Sequence, residues 1–232
     1  MARIGDGRPA RVTILRELAN LIAGVQRQHP LRVAIDGTSA AGKTMLADEL
    51  ASLLAGRRPL IRASVDDFHN PREVRYRRGR LSPEGYYFDS FDYEALKAEL
   101  LQPLGPGGNR CYRSGIRDVH NDEPLNRPQL SARSDAIVLV DGIFLMRPEI
   151  DEFWDLRLFV QVTEGAARER WLARDSAWMG EAEVIERYEK RYIPGERLYL
   201  DLARPEFAAD IVLNNTDLAY PVAKVRGDFG GP

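Results

Sequence analysis

Residues 31–44 read LRVAIDGTSAAGKT, an apolar run that gives way to a glycine-rich loop and then to a helical pattern. The loop fills the spacing G-x-x-x-x-G-K-[ST], in which backbone N–H groups surround phosphates, the lysine reaches the outer phosphates and the hydroxyl binds Mg²⁺. An apolar strand before the loop and leucines at helical spacing after it supply the context that this motif requires. We therefore predict a nucleotide-phosphate site made of Gly37, Thr38, Ser39, Ala40, Ala41, Gly42, Lys43 and Thr44.

The composition limits the class of protein. The chain has 232 residues, 44% hydrophobic and 29% charged, which is enough apolar material for a full core. A net charge of −2 gives no overall attraction for nucleic acid, and no apolar run approaches the length of a membrane span. The single cysteine, Cys111, excludes an internal disulfide and is typical of a reducing compartment. We expect a cytoplasmic protein that binds neither nucleic acid nor membranes, and a homo-oligomer is compatible with this composition.

The order of apolar segments predicts an α/β fold. Strand signals occur at residues 33–35, 60–65, 136–141, 156–162 and 209–213, with helical patterns between them. No repeat or linker divides the chain, so we expect a single domain over residues 1–215. Charged helices at about 165–195 are expected to form a lid, and residues 216–232 a loose C-terminal tail.

Carboxylates follow two of the predicted strands. Asp66 and Asp67 come after the strand at 60–65, and Asp141 ends the continuous apolar strand at 136–141. In α/β folds chemistry occurs at the carboxyl ends of strands, so one of the adjacent aspartates is expected to face the site. The alternative is a turn in which both bond their own backbone. Asp141 is expected to hold Mg²⁺ together with Thr44, as acidic residues at strand ends do in phosphate-loop enzymes.

Five arginines lie within residues 72–80: Arg72, Arg75, Arg77, Arg78 and Arg80. Such density is typical of a solvated loop, but guanidinium groups match phosphate geometry and this loop leaves the predicted catalytic strand. One or two of them, with Arg78 as a candidate, are therefore expected to contact an anion. Residues 110–125 are interpreted as a small hairpin over the site, in which His120 is either an exposed loop residue or a substrate contact.

Two further pairs of residues, Asp89 with Asp92 and Arg170 with Arg174, have predicted roles. Asp92 is predicted to cap the helix that follows it, whereas Asp89 has no local role and is left free to contact substrate. Arg170 and Arg174 are four residues apart and share a helix face. They are either solvated surface residues or lid arginines that neutralise a phosphoryl group during its transfer.

In their order along the chain, these motifs resemble those of the uridine kinase family. They are Gly37-x4-Gly42-Lys43-Thr44, Val65-Asp66-Asp67-Phe68-His69, Phe88-Asp89-Ser90-Phe91-Asp92 and Val140-Asp141-Gly142-Ile143-Phe144. The likeness runs from about residue 31 to residue 215, and phosphoribulokinases and pantothenate kinases share the same plan. It implies a P-loop NTPase-type three-layer α/β/α kinase domain with a mainly parallel five-stranded sheet, a small β-hairpin and a helical lid over residues 165–195.

The resemblance also implies cofactors and roles. The cofactors are ATP or GTP with Mg²⁺, and the reaction is phosphoryl transfer to a ribose 5′-hydroxyl. Asp66 matches the family's catalytic base, Asp89 the aspartate that holds the ribose hydroxyls, and Asp141 the acidic residue near the metal. His69 stands where the family has a tyrosine that contacts the nucleoside base. The two lid arginines resemble those that contact the phosphates.

These observations predict an ATP-dependent kinase acting on a hydroxyl of a nucleoside (uridine- or cytidine-like) or a similar small metabolite. Its catalytic residues are expected to be Lys43, Asp66, Arg170 and Arg174. One alternative is a kinase for a phosphorylated sugar or another acidic metabolite, which the arginines of residues 72–80 favour. A second alternative is a regulatory ATPase that signals to a protein partner.

Overall fold

A computed structural model describes residues 2–4 and 10–227. In these ranges the strands are β1 (Ala2–Ile4), β2 (Leu31–Gly37), β3 (Leu60–Ser64), β4 (Cys111–Tyr112), β5 (Leu130–Ser131), β6 (Ile137–Asp141), β7 (Leu156–Gln161), β8 (Ile211–Asn214) and β9 (Val222–Val225). The α-helices are α1 (Arg11–Gly24), α2 (Lys43–Leu54), α3 (Arg72–Arg75), α4 (Pro83–Asp89), α5 (Tyr93–Leu96), α6 (Glu164–Met179), α7 (Glu181–Arg187), α8 (Ile193–Ala203) and α9 (Pro205–Ala208). Short 3-10 helices occur at Val65–Phe68 and Asp151–Phe153, and π-helical turns at Lys97–Leu101 and Tyr188–Tyr192.

Seven strands form one sheet in the order β1-β9-β8-β7-β2-β6-β3. The five from β8 to β3 run parallel, whereas β9 is antiparallel to β8 and β1 to β9. The expected parallel sheet is therefore confirmed, and two antiparallel strands extend one edge of it. Because β2 is central among the parallel strands, the loop that follows it lies in the middle of the sheet's carboxyl edge, where α/β folds bind ligands.

Both faces of the parallel sheet are buried. In β6, Ile137 and Leu139 pack with helices α1 and α2, whereas Val138 and Val140 pack with α4, α5 and α8 on the opposite face. This burial explains why the strand reads as a continuous apolar run. The expected α/β/α layering is confirmed. Within the described residues, no helix combines the length and the apolar character that crossing a bilayer requires.

The structure corrects two predictions about polar segments. The expected tail at 216–232 contains β9, where Ala223 is fully buried, while residues 228–232 lie outside the described residues. A hairpin was expected at residues 110–125, but β4 pairs with β5, which lies further along the chain. In the segment that connects these two strands, Arg117 and Pro124 form an isolated bridge. These strands have two to four residues, so they are too short to produce a readable alternation.

The region expected to be a lid consists of helices α6 and α7, the π-helical turn and the start of α8. Trp171 of α6 stacks on Tyr188 with 4.1 Å between ring centroids, and Val184 completes a small apolar cluster there. These helices thus have their own packing contact beside the sheet. The predicted cap before α5 is confirmed, because the side chain of Asp92 accepts the N–H of Ala95 at 2.8 Å.

A buried carboxylate at the end of β2 ties the central loop to neighbouring segments. Asp36 is fully buried and accepts the backbone N–H groups of Gly37 at 2.6 Å, Leu145 at 3.0 Å and Met146 at 3.1 Å. It also accepts the hydroxyl of Tyr199 from α8. Burial raises the pKa of Asp36 to about 6, although these hydrogen bonds act in the opposite direction.

We expect Asp36 to make the protein less stable as pH rises. Its pKa in the folded protein lies above the unfolded value of 3.8, so the native state holds the proton more tightly and loses stability as pH passes through 6. Between pH 4.5 and pH 7 this loss amounts to about 2 kcal/mol in the free energy of unfolding. Urea unfolding at both pH values should show that Asp36→Asn escapes this loss.

The matched control is Asp201→Asn, which changes an exposed aspartate on α8. Its pH profile should run parallel to that of the wild type. Parallel profiles for the wild type and Asp36→Asn would contradict the account of Asp36.

Candidate active site

The loop after β2 depends on two glycines. A Cβ at Gly37 would lie 2.5 Å from a carbonyl oxygen of the neighbouring strand β7. Gly42 has a φ of +89°, and a Cβ there would lie 2.8 Å from the side-chain amide of Asn215. Asn215 donates that amide to the carbonyl of Ala41 at 2.7 Å. The loop is thereby held so that α2 begins at Lys43, with its first N–H groups available to phosphate.

The predicted lysine lies within the loop and is surrounded by carboxylates. Its Nζ donates to the carbonyl of Thr38 at 2.8 Å. Burial lowers the pKa of Lys43, and four carboxylates oppose that effect: Glu196, Asp36, Asp66 and Asp141. Glu196 of α8 also accepts the N–H of Ser39 at 3.0 Å, and burial raises its pKa. The loop therefore combines a buried ammonium group with the first N–H groups of α2, which together suit a polyphosphate.

The two predicted metal ligands lie together. Thr44 Oγ1 donates to Asp141 Oδ2 at 2.6 Å, and Asp141 is only 2% exposed at the end of β6. Arg62 of β3, which the sequence analysis did not single out, donates to Asp141 Oδ1 at 3.0 Å and to Asp48 at 2.9 Å. The carboxylate of Asp141 is thus balanced by a guanidinium group from the neighbouring strand.

A magnesium ion fits these donors. A hydroxyl and a carboxylate are hard oxygen ligands, and Mg²⁺ bound with a nucleotide takes its remaining ligands from phosphates and water. In the described part of the chain, no group of three or more His, Cys, Asp or Glu side chains could hold a metal ion. A site that relies on nucleotide oxygens needs no such group.

The adjacent aspartates at the end of β3 have different surroundings. Asp67 forms an ion pair with Arg127 at 2.8 Å. Asp66 is exposed, forms no ion pair within the described residues, and lines a cavity of about 340 Å³ together with Ser39 of the loop. Of the two aspartates, Asp66 therefore faces the loop cavity. Both lie in the 3-10 helix Val65–Phe68 and not in the extended chain that the alternation of side chains assumed.

The predicted histidines line an adjoining cavity of about 530 Å³. Nδ1 of His69 lies 2.7 Å from the backbone oxygen of Asp66, and its ring contacts Phe91 with 4.5 Å between centroids. Burial lowers the pKa of His69, so the ring is neutral at pH 7; a protonated Nδ1 leaves Nε2 as an acceptor. His120 lines the same cavity. The structure thus brings His69 and His120 together beside Asp66.

The expectation that Asp89 is free of local partners is wrong. Asp89 is 2% exposed and pairs with Arg77 and, at 2.8 Å, with Arg78. Burial raises the pKa of Asp89, but the bonds to these two guanidinium groups outweigh burial and lower it. Arg78, expected to contact substrate, thus pairs with Asp89. The contact forms because the segment after α3 folds back onto α4, which no periodic pattern indicates.

The two lid arginines lie on α6, and each contacts protein groups. Arg170 donates to the backbone carbonyls of Ala40 at 3.3 Å and of Asn215 and Thr216 at 2.8 Å. Arg174 pairs with Asp175 at 2.7 Å and lines the cavity that contains Asp66. The structure therefore brings both arginines near the loop or its cavity, and their contact with phosphates stays a prediction.

Several residues of the site were missed by sequence reasoning: Asp36, Arg62, Arg191, Glu196 and Asn215. Asp36 and Arg62 do leave a signal, because each is a charged residue inside a buried strand. Glu196 and Arg191 leave none, since each lies in a charged helical segment and its partners are more than a hundred residues away. Glu196 is revealed only by the packing of α8 against the loop. Arg191 is revealed only by the packing of the preceding turn against the backbone of Arg80 and Ser82.

The known proteins that this chain is similar to are kinases or are described as possible kinases. No protein-family model matches the chain. It is 25% identical over 205 residues to uridine-cytidine kinase A of Dictyostelium discoideum, covering 81% of this chain and 38% of that protein. A pantothenate kinase of Rhodopseudomonas palustris (strain HaA2) is 26% identical over 183 residues, covering 71% of this chain and 57% of the relative. The chain thus spans less than two thirds of the length of these two relatives.

Solved structures share the fold. A possible uridine kinase from Bacillus stearothermophilus has a TM-score of 0.68 at 24% identity, covering 85% of this chain and 96% of that chain. A putative fructose transport system kinase from Silicibacter sp. TM1040 has a TM-score of 0.68 at 18% identity, covering 82% and 95%. The sequence relatives, the loop at residues 37–44 and this shared fold together support, at low sequence identity, a likeness to the uridine kinase-like P-loop kinases.

Proposed function

We propose that the protein transfers the γ-phosphoryl group of ATP to a hydroxyl group of a small metabolite. One observation carries this proposal: the exposed carboxylate of Asp66 and the loop residue Ser39 line the same cavity of about 340 Å³. A protein that only binds or hydrolyses a nucleotide needs the loop but no free carboxylate facing a cavity beside it. The juxtaposition therefore supports a second substrate, the phosphoryl acceptor.

The donor half of the site uses the loop. Its backbone N–H groups and Lys43 bind the phosphates, and the helix dipole of α2 adds to their attraction. Thr44 and Asp141 would hold Mg²⁺, which when bound neutralises charge on the β- and γ-phosphates. Arg174 lines the same cavity as Asp66 and is the lid residue available to the transferring group. The same donor contacts suit GTP, because all of them involve phosphates.

The acceptor half uses Asp66. Its carboxylate accepts the proton of the acceptor hydroxyl as that oxygen attacks the γ-phosphorus, and the bond from phosphorus to the β–γ bridging oxygen breaks. The products are ADP and a phosphate monoester. Because the transition state of phosphoryl transfer is loose, the base contributes mainly by orienting the hydroxyl. Arg127 pairs with Asp67 and so keeps the neighbouring carboxylate away from this role.

The class of acceptor needs its own test. The relatives named above include a uridine-cytidine kinase and a pantothenate kinase, whose names give different acceptors. Release of ADP from ATP should be measured over nucleosides, sugar phosphates and vitamins. Release that depends on one acceptor class supports the proposal. Binding of ATP without acceptor-dependent release across the panel would favour a regulatory ATPase instead.

We expect Asp66→Asn to lower kcat by a factor of about 100 or more, because loss of a positioned base costs about 10²–10⁴ in rate. The adjacent variant Asp67→Asn is the matched control, since Asp67 pairs with Arg127. It should keep kcat within a few-fold of the wild type. Steady-state ADP release measures both. Near-normal kcat in Asp66→Asn would show that Asp66 is not the base.

We expect Lys43→Ala to reduce kcat about 100-fold or more, since removing one positive group from a transition-state site costs about 10²–10³ in rate. Circular dichroism should show an unchanged fold, because within the described residues the side chain of Lys43 makes one hydrogen bond, to the loop carbonyl of Thr38. Lys190→Ala, an exposed lysine paired with Glu186, serves as the control and should retain activity. Equal activity in the two variants would exclude the role given to Lys43.

We expect Asp141→Asn to raise the Mg²⁺ concentration needed for half-maximal rate by about tenfold or more, because it removes the one carboxylate ligand. The matched control is Asp48→Asn, which removes the other carboxylate that binds Arg62 but lies on the surface. That variant should keep the wild-type Mg²⁺ dependence. Magnesium titrations of ADP release measure both variants, and an unchanged titration for Asp141→Asn would contradict the assignment.

A further inference from the structure

The cavity of about 530 Å³ next to His69 is lined by five arginines: Arg72, Arg75, Arg80, Arg187 and Arg191. Within the described part of the chain, no aspartate or glutamate lines it. Two carboxylates pair with these arginines, Asp122 with Arg75 at 2.8 Å and Glu183 with Arg187 at 3.4 Å and Arg80 at 3.8 Å. Five guanidinium groups against two carboxylates leave the cavity with excess positive charge.

Arg191 is the most constrained of these arginines. It is 4% exposed and forms no ion pair within the described residues. Its guanidinium donates to the backbone carbonyls of Arg80 at 3.3 Å and Ser82 at 3.1 Å, and lies over the rings of Tyr76 and Tyr86. A buried cation without a counter-ion is costly, so a site that keeps one rigidly in place suits an anionic ligand.

Arg75 provides a second, independent observation. It is 6% exposed and pairs with Asp122 through Nη2, but among the described residues its buried Nε has no hydrogen-bond partner. Buried donors in native proteins nearly always have an acceptor, so an unpaired one calls for an explanation. Both Arg75 and Arg191 line the cavity, so a ligand bound there would lie against two largely buried guanidinium groups.

This cavity is continuous with the one that contains Asp66. The two share His69, Tyr86, Val119, Trp178, Arg187 and Tyr192 as lining residues. A ligand that fills both would have one end at the arginines and the other at the carboxylate of Asp66. Their volumes, about 530 and 340 Å³, are in the usual range for sites of small metabolites.

We propose that the phosphoryl acceptor carries an anionic oxyacid group, a phosphate monoester or a carboxylate, which Arg75 and Arg191 bind while its hydroxyl faces Asp66. This inference rests on the proposed function and names the acceptor class that the site selects. Charge-assisted bonds to buried guanidinium groups discriminate strongly against a neutral analogue, because Arg191 would then stay without a counter-ion.

The test measures anion binding directly. Inorganic phosphate and acetate are titrated into the full chain at constant ionic strength, with the loop filled by Mg²⁺ and a non-hydrolysable ATP analogue. Tryptophan fluorescence reports binding because Trp178 lines the cavity. We expect saturable binding of at least one anion, and the stronger one identifies the oxyacid group. Arg191→Gln should weaken it about tenfold or more, the usual effect of losing one charge-assisted hydrogen bond.

Two further variants guard against misfolding and general charge effects. Arg72→Gln changes an exposed arginine that lines the same cavity, so it should weaken anion binding without disturbing the core. Arg133→Gln changes an exposed arginine paired with Asp135 and should bind like the wild type. Absence of saturable binding in the wild type, or equal binding in all variants, would overturn the inference.

The ADP-release panel separates this inference from the proposed function. Acceptor-dependent release for acidic acceptors alone supports both. Release with neutral nucleosides and no anion binding keeps the kinase function but overturns the acidic acceptor. Anion binding without release for any acceptor retains the arginine site but contradicts its role in a kinase.

Discussion

The hydrogen bonds of Asp36 are the constraint on which the arrangement of the site depends. One fully buried carboxylate joins the start of the phosphate loop, the segment after β6 and helix α8. The segment after β6 follows Asp141, and α8 supplies Glu196 to the loop. These hydrogen bonds offset part of the free-energy cost of burying Asp36. They also fix the spacing among three elements that carry candidate functional side chains. Phe144, with a φ of 67°, precedes Leu145 in the segment after β6, and its ring packs against Tyr199.

The two halves of the site differ in how their charges are arranged. Around the loop, carboxylates from α8, β2, β6 and the 3-10 helix after β3 surround the ammonium group of Lys43. In the cavity beyond His69, guanidinium groups exceed carboxylates, and aromatic rings hold one of them in place. The side-chain charge around the loop therefore comes mainly from carboxylates, whereas that around the second cavity comes from guanidinium groups. Such side chains differ readily between relatives that share a fold, which agrees with the different acceptors in the relatives' names.

The sequence was sufficient for the parts of the fold and site that depend on local pattern. The loop at residues 37–44, the apolar strand that ends in Asp141 and the pairing of Thr44 with Asp141 all follow from motif and periodicity. It was insufficient where a side chain's partner comes from a distant segment. Asp89 pairs with arginines of a loop that has no periodic pattern, and Arg191 bonds carbonyls more than a hundred residues earlier. Such contacts depend on how helices pack on the sheet, and a single sequence carries no signal for that.

Arg62 has a consequence for the resting state of the protein. Its guanidinium connects the buried carboxylate of Asp141 with Asp48, whose side chain is 65% exposed. A buried carboxylate left without a counter-ion would destabilise the fold. Arg62 of β3 supplies a guanidinium group that stays charged at neutral pH, so it balances the charge of the Asp141 carboxylate. Asp141 therefore has a counter-ion within the protein itself, supplied by the neighbouring strand of the same sheet.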